Sequence, residues 1–281
     1  MTDETIPVID IEKISEQFEC KKLRDACEKW GCFRIINHSI PLTLMAEMRM
    51  VVEALHDLPM DIKKNNKDVI SGRAMHDFCS QLNVTPHQRK IMETYGKAIH
   101  NVALKIGQKI AESIGILDAD FEDWPCQYRI NKYHFTSESI GSLGGSLHTD
   151  SGFLTILQDD ENVGGLKVMD NSDSFVSVPP FHGTLLANLG DIAQVWSNGR
   201  FCNVKHHIQC KEATIRSIAT FMLGPRKGNI ETPKELMDLD HPRLYQPFTY
   251  EEYRTLRDSI NKAGDKYLQT GEVFELLRLI Q

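Results

Sequence analysis

Two histidines and one aspartate have the types and spacing needed to bind a metal ion. His148 and Asp150 are separated by one residue, and His206 lies in the downstream segment 203–208. If both segments are β-strands, alternate side chains share a face, so His148 and Asp150 point the same way and His206 can complete the set. An H-x-D tripeptide alone is a weak signal, so the argument depends on His206.

The segment around His206 strengthens the prediction. On a strand, alternation places His206 on a face whose other members are apolar or cysteine, namely Cys202, Val204, Ile208 and Cys210. A histidine on such a face is more often a satisfied core residue than a ligand, but here a second segment offers a matching histidine and aspartate. His207 falls on the polar face and is expected to be solvated. The other histidines have no such pairing and are interpreted as structural or surface residues.

Two imidazoles and one carboxylate on one side of a metal, with open positions opposite, are typical of non-haem Fe(II) oxygenases. Zinc accepts the same ligands, so a zinc hydrolase is an alternative. An iron site with a dicarboxylate co-substrate such as 2-oxoglutarate also requires a cation for the distal carboxylate. Arg216 lies ten residues after His206 and can bind a carboxylate through two parallel hydrogen bonds. Tyr133 shares a strand face with Asn131 and can donate its hydroxyl to the same ligand. The zinc alternative gives neither Arg216 nor Tyr133 a role.

Composition limits the partners. The 281 residues carry a formal net charge of −7 and a pI near 5.9, without a long Lys/Arg run. This balance argues against nucleic acid or an anionic membrane and favours a small-molecule substrate. No apolar run approaches the ~20 residues of a membrane span, and the N-terminus lacks the pattern of a signal peptide, so we expect a soluble cytoplasmic protein. The seven cysteines form no C-x-x-C pair and are interpreted as reduced thiols.

The hydrophobic period changes from helical to strand-like along the chain. Apolar residues recur at helical spacing over 15–29, 42–58 and 86–114, and a further helix is predicted over 250–263 after Thr249. Short strands are predicted over 6–10, 30–38, 128–135, 153–158, 165–169, 175–178, 184–188, 201–210 and 215–223. Helices first and many short strands later indicate an antiparallel sandwich or barrel with a helical shell.

The sequence resembles the plant 2-oxoglutarate/Fe(II)-dependent dioxygenases over nearly its whole length. The segments that carry the resemblance are Ile6-Pro7-Val8-Ile9-Asp10, Trp30 to His38, Asn131-Lys132-Tyr133, His148-Thr149-Asp150, Gly164-Gly165-Leu166, Asn188-Leu189-Gly190-Asp191 and Ser197-Asn198-Gly199. The amino-acid sequences of segments 148–160 and 202–206 are most similar to those of the auxin-oxidising group, which converts indole-3-acetate to 2-oxindole-3-acetate.

The resemblance implies a mixed α and β fold with a double-stranded β-helix (jelly-roll) core, an N-terminal helical shell and a C-terminal helix. It implies three regions: 1–120, mostly helical; 121–225, the catalytic core; and 226–281, an extension packing on the core. Iron would be bound by His148, Asp150 and His206, with no catalytic residue beyond these ligands. Tyr133 and Arg216 would bind 2-oxoglutarate, with Asn131 and Ser217 as further candidates. Dioxygen and a small metabolite complete the reactants, and ascorbate would serve as reductant in vitro.

Two departures from the family pattern affect this expectation. Arg216 and Ser217 are adjacent where the family has Arg-x-Ser, so on a strand their side chains fall on opposite faces unless a bulge absorbs the difference. The segment after Pro59, which in the family forms a wall of the substrate pocket, is short, since only 63–77 intervene before the next helix. Two alternatives therefore stay open. One is a hydroxylase or demethylase of another plant metabolite, an alkaloid or a phenolic, and the other is a catalytically weak homologue. For a substrate carboxylate, Arg73 and Arg226 are the candidate cations.

Overall fold

The structure of the chain is a computed structural model. It describes residues 5–59, 61–62, 84–134, 136–263 and 276–279. The short segment after Pro59 and the candidate Arg73 lie outside these residues.

The described residues contain five α-helices, four of which match the predicted ones. The longest begins with a capping box, in which Thr85 and Gln88 exchange side-chain and backbone hydrogen bonds, and Pro86 occupies the first turn. Thr249 and Glu252 form the same motif at the start of the C-terminal helix. The helices are α1 Gln17–Lys29, α2 Leu42–His56, α3 Pro86–Ser113, α4 Asp191–Trp196 and α5 Tyr250–Ala263.

Ten strands form two facing sheets. The strands are β1 Val8–Asp10, β2 Cys32–Ile36, β3 Cys126–Tyr133, β4 Leu143–His148, β5 Leu154–Gln158, β6 Leu166–Met169, β7 Phe175–Ser177, β8 Leu185–Leu189, β9 His206–Gln209 and β10 Ile215–Met222. The large sheet has the order β1-β2-β8-β5-β10-β3 and the small sheet the order β4-β9-β6-β7. All pairs are antiparallel except β1 with β2. The predicted jelly-roll core with helices around it is confirmed.

The main hydrophobic core lies between the large sheet and the three N-terminal helices. Tyr95, Met92 and Ile99 of α3 are at most 2% exposed, and Met45 of α2 is 1% exposed within the same cluster. Because this core uses the outer face of the large sheet, the alternate residues of its strands are left to face the small sheet. A second, smaller apolar cluster fills part of the space between the sheets and includes Leu166, Val168, Leu186 and Val204.

One α-helix and one strand among the described residues were not predicted, and one strand begins five residues later than predicted. The short helix α4 follows Gly190, and its six residues are too few for a helical period to be recognised. Half of β4 is glycine and serine, so it lacks the apolar alternation of a strand. The strand predicted over 201–210 begins only at His206. The six cysteines within the described residues are free thiols, and four of them are buried. No helix in the described part of the chain is long and apolar enough to cross a membrane.

Candidate metal centre and its cavity

His148, Asp150 and His206 come together between the two sheets. His148 ends β4 and is paired directly with His206, the first residue of β9. Asp150 lies two residues beyond the end of β4, so a loop, rather than the strand alternation that we expected, brings it to the histidines. The Asp150 Oδ1 atom is 3.9 Å from His148 Nε2 and 4.0 Å from His206 Nε2. The three ligand atoms lie within 4.8 Å of one another.

The hydrogen bonds of the two histidines leave the correct nitrogen available for a metal. His148 Nδ1 is 2.7 Å from the carbonyl of Ser146, and His206 Nδ1 is 3.1 Å from the carbonyl of Val204. A carbonyl only accepts, so each Nδ1 carries the proton and each Nε2 keeps its lone pair. Burial, followed by the neighbouring His206, lowers the pKa of His148, which favours the neutral form that binds metals. The residues therefore fit an ion with two nitrogen ligands and one oxygen ligand.

Asp150 is oriented by Thr155 of β5. The Thr155 hydroxyl donates to Asp150 Oδ2 at 2.6 Å, and both residues are buried. This leaves Oδ1 to face the histidines. Partners that hold a metal ligand in this way fix its rotamer and tune its basicity.

Thr155→Val removes this hydrogen bond with little change in volume. We expect the affinity for Fe(II) to fall by about 10- to 100-fold, the usual effect of losing a partner of a ligand. Competition with a chelator measures the affinity. Thr220→Val is the matched control, because Thr220 is fully buried on β10 and its hydroxyl has no partner within the described residues. An equal loss in both variants would show that Thr155 acts through general stability.

The loop that carries Asp150 is clamped by an ion pair from the C-terminal helix. Arg257 of α5 pairs with the fully buried carboxylate of Asp191 and donates to the carbonyl of Thr149 at 2.6 Å. Asp191 also accepts from the hydroxyl of Tyr253, and its backbone N–H donates to the carbonyl of Asp150 at 2.9 Å. Two consecutive carbonyls of the ligand loop are therefore fixed by α5 and by the start of α4.

Arg257→Met breaks this pair and leaves the carboxylate of Asp191 buried without its cation. Loss of one partner of a buried pair costs about 3–5 kcal/mol of unfolding free energy. Chemical denaturation measures it, and the metal affinity is expected to fall as well because the loop is released. Arg254→Met, on the same helix, is expected to stay within about 0.5 kcal/mol of the parent. A loss below about 1 kcal/mol for Arg257→Met would contradict the clamp.

The metal ligands face a cavity of about 660 Å³ that is open to solvent. This volume is within the range of small-molecule sites. Its walls include apolar side chains from both sheets, namely Leu157, Leu166, Ile208, Ala219, Phe221 and Leu223. Its polar side chains, besides the metal ligands, include Gln127, Arg129, Asn131, Tyr133, Thr155, Asn188, Ser217 and Arg257.

The residues expected to bind 2-oxoglutarate divide between the two faces of the large sheet. Ser217 pairs with Asn131, and Arg216 pairs with Lys132, in a register that runs without interruption from Ile215 to Met222. Asn131, Tyr133 and Ser217 line the cavity, and the Asn131 amide donates to the Ser217 hydroxyl at 3.3 Å. Burial raises the pKa of Tyr133, so its hydroxyl stays protonated and can donate.

The structure corrects the expected placement of Arg216. Its guanidinium lies 3.8 Å from Glu53 of α2 and does not line the cavity. No bulge is present in the pairing of β10 with β3, so the adjacent Arg216 and Ser217 point to opposite sides, and Ser217 has the inward position. Ile215, which is 3% exposed, takes the inward position two residues before Ser217.

The expectations for two other histidines, His207 and His38, and for Arg226 are confirmed in one case only. His207 was expected to be solvated, but it is 7% exposed, because its ring packs edge-on against Phe175 at 4.5 Å. His38 is a satisfied core histidine, as expected, with its two ring nitrogens bonded to Gly183 and Ile40. Arg226 is exposed and does not line the cavity.

Sequence reasoning did not identify Thr155, Arg129, Asp191 and Arg257 as site residues. Arg129 could have been found, because it precedes Asn131 by two residues on a strand whose inward face had been predicted. Asp191 was part of a matching segment but had no assigned partner. Arg257 is 107 residues from Asp150 in the sequence, and nothing in its local pattern indicates that the C-terminal helix reaches the ligand loop.

Comparison with known proteins identifies the chemistry of this centre. Residues 124–225 match the sequence model of the 2OG-Fe(II) oxygenase superfamily, and residues 6–98 match that of the N-terminal region of non-haem dioxygenases in morphine synthesis. The 2-oxoglutarate-dependent dioxygenase DAO of Oryza sativa subsp. indica is 43% identical over 274 residues, which cover 88% of this chain and 91% of the relative.

Solved structures agree with the sequence comparison. The crystal structure of the rice dioxygenase for auxin oxidation has a TM-score of 0.90 at 41% identity and covers 98% of this chain and 100% of its own. The Arabidopsis thaliana dioxygenase for auxin oxidation 1, in a binary complex with 2-oxoglutarate, has a TM-score of 0.81 at 49% identity and covers 85% and 100%. The predicted reaction class, with iron as cofactor and 2-oxoglutarate as co-substrate, is thereby confirmed. The chain belongs to the 2-oxoglutarate/Fe(II)-dependent dioxygenases.

Proposed function

We propose that this enzyme oxidises indole-3-acetate to 2-oxindole-3-acetate, with iron bound by His148, Asp150 and His206. The observation that carries the proposal is the three-residue metal centre open to a cavity with apolar walls, in a chain whose relatives are auxin-oxidising dioxygenases. Three protein ligands leave positions on the metal for 2-oxoglutarate and dioxygen. When bound, the iron and 2-oxoglutarate supply the redox chemistry, which couples oxidative decarboxylation to succinate with oxidation of the substrate.

The protein's own residues bind and orient the reactants. Asn131, Tyr133 and Ser217, here called the donor cluster, offer an amide and two hydroxyl groups to the distal carboxylate of 2-oxoglutarate. The apolar side chains of the walls suit the flat ring system of an indole. The proposed catalytic core is residues 121–225, which include the three metal ligands and the donor cluster, and the proposed supporting regions are 1–120 and 226–281.

The experiment quantifies succinate and the oxidised product together. Protein reconstituted with Fe(II) under anaerobic conditions is given 2-oxoglutarate, ascorbate and oxygen, with and without indole-3-acetate. Succinate and 2-oxindole-3-acetate in equal amounts are expected. Succinate formed at the same rate without any indole product would retain the oxygenase and reject this substrate.

The second candidate function has two forms. The first is an enzyme that hydroxylates or demethylates another plant metabolite, and the second is a catalytically weak enzyme. The observation that favours it is the position of Arg216 outside the cavity, since a weakly held co-substrate lowers the coupling between its decarboxylation and product formation. An alkaloid or phenolic that restores equal amounts of succinate and product would select the first form. Metal binding without succinate under any substrate would select the second.

The proposed setting of the enzyme is the cytoplasm, with a metabolite and dioxygen as its partners. The net charge of −7 makes nucleic acid and anionic membranes poor partners.

A further inference from the structure

The cavity contains a cation for which the described residues offer no carboxylate partner. Two arginines line it, Arg129 and Arg257. Arg257 is committed to Asp191 and to the carbonyl of Thr149. Within the described residues, the ion pairs include none for Arg129, which is exposed on the cavity side of β3. A guanidinium that faces a ligand cavity without a counter-ion is suited to bind an anionic ligand.

Arg129 contacts a side chain that lies beside the residue orienting Asp150. Its guanidinium carbon lies 5.8 Å from the centre of the Phe221 ring, a cation–π arrangement that restrains the planar group. Phe221 is paired on β10 with Thr155 of β5, and Thr155 donates to the metal ligand Asp150. The guanidinium therefore contacts Phe221, whose strand neighbour Thr155 holds the metal ligand Asp150.

The donor cluster begins two residues after Arg129 on the same face of β3, at Asn131, and Tyr133 is its most distant member. Tyr133 is four residues from Arg129, which is about 13 Å along an extended strand. A methyl group at Gly145 of β4 would be 3.7 Å from the Tyr133 ring and from Ile208, which pairs with Gly145. His148, in contrast, pairs with His206 at the other end of β9. The cavity thus has a guanidinium at Arg129, beside Phe221, and a row of uncharged donors that runs from Asn131 to Tyr133.

The different chemistry of these two groups suits the two carboxylates of the proposed reaction. The distal carboxylate of 2-oxoglutarate needs donors at a distance from the metal, which the donor cluster supplies. The carboxylate of the oxidised substrate must lie close to the metal, because the reacting carbon does. We propose that Arg129 binds the carboxylate of the substrate and selects acids with an apolar aromatic body over their neutral derivatives. This inference rests on the proposed function and names the residue that determines its specificity.

The test compares acids with their amides. Binding of indole-3-acetate, 1-naphthylacetate and phenylacetate, and of the three corresponding amides, is measured by calorimetry. The protein is loaded with Mn(II) and 2-oxoglutarate without oxygen. The parent is expected to bind at least one acid about 10- to 100-fold more tightly than its amide, the usual contribution of hydrogen bonds between charged groups. Arg129→Gln is expected to abolish that preference and to change the Kd of 2-oxoglutarate by less than about twofold, while Arg129→Lys retains part of the preference.

Arg226→Gln is the matched control, because it removes the same charge from an exposed position outside the cavity. It is expected to leave the acid preference unchanged. A parent that prefers no acid, or an Arg129→Gln variant that keeps the preference, would overturn the proposal. So would an Arg129→Gln variant that loses 2-oxoglutarate binding instead, since Arg129 would then serve the co-substrate.

Turnover of indole-3-acetate by the parent separates the two hypotheses. If the parent forms no 2-oxindole-3-acetate but shows an acid preference that Arg129→Gln abolishes, the proposed substrate is wrong and the role of Arg129 stands. If the product forms with equal efficiency in both proteins at limiting substrate, the role of Arg129 is wrong and the proposed function stands.

Discussion

Asp150→Ala is expected to abolish the formation of succinate and of the oxidised product. Asp150 supplies the oxygen ligand of the metal centre and is 8% exposed, with its Oδ1 atom within 4.0 Å of both histidine nitrogens. Without it, two histidines hold the ion weakly and the positions for the co-substrate are no longer defined. A metal supplies several kcal/mol of stabilisation, so we expect turnover to fall on the order of a thousandfold or more.

The same variant must also lose metal affinity, which is measured without turnover by titration with Fe(II) in the absence of oxygen. Asp258→Ala, at an exposed position of α5, is the matched control and is expected to retain both properties. His148→Ala is expected to behave like Asp150→Ala. Retained turnover in the Asp150 variant would reject the ligand assignment, whereas loss of turnover with unchanged metal affinity would assign Asp150 a different role.

The fold and the metal centre could both be predicted from the sequence, but they depend on different sequence signals. The helices were recognised because each buries one stripe of side chains, which leaves a period near 3.6 in the sequence. The H-x-D segment and His206 could be paired because few other positions combine a histidine with an apolar strand face. The pairing of His148 with His206 required only the assumption that both segments are strands, and the structure places them on β4 and β9, which are neighbours in one sheet.

The position of Arg216 could not be predicted, because a shift of one residue in the register of β10 decides which side of the sheet its side chain faces. Arg216 and Ser217 are adjacent, so only one of them can face the cavity. The choice depends on the whole of β10, where Ile218, Thr220 and Met222 are buried on the helix side and fix which residues point inward. Similarly, the contact of Arg257 with Asp191 depends on where α5 docks, and docking of a distant helix has no local sequence signal.

Moving the guanidinium from position 216 to position 215 is expected to tighten the binding of 2-oxoglutarate. Ile215 is on the cavity side of β10, opposite Tyr133 and two residues from Ser217, but it offers no charge to the distal carboxylate. The double variant Ile215→Arg/Arg216→Ile keeps the composition and places the cation beside the donor cluster. Hydrogen bonds to a charged group contribute about 1.5–3 kcal/mol, so the Kd is expected to fall by about 10- to 100-fold.

Calorimetry with the Mn(II)-loaded protein measures this change, and pyruvate serves as the probe that lacks the distal carboxylate. Pyruvate binding is expected to stay unchanged, because it never reaches position 215. Arg216→Ala is expected to change the Kd of 2-oxoglutarate by less than about twofold and the unfolding free energy by less than about 1 kcal/mol, as for a partly exposed pair with Glu53.

Ile215→Met controls for the change in shape at position 215 and is expected to leave the binding of both oxo acids unaltered. A large loss of 2-oxoglutarate affinity in Arg216→Ala would mean that Arg216 enters the cavity when the co-substrate binds, and the inward register of Ser217 and Ile215 would then be wrong. If instead the double variant tightens binding while Arg216→Ala has no effect, the distal carboxylate of 2-oxoglutarate is held in this enzyme by uncharged donors alone. The charge that its relatives place in the Arg-x-Ser motif is then used here on the helix side of the sheet.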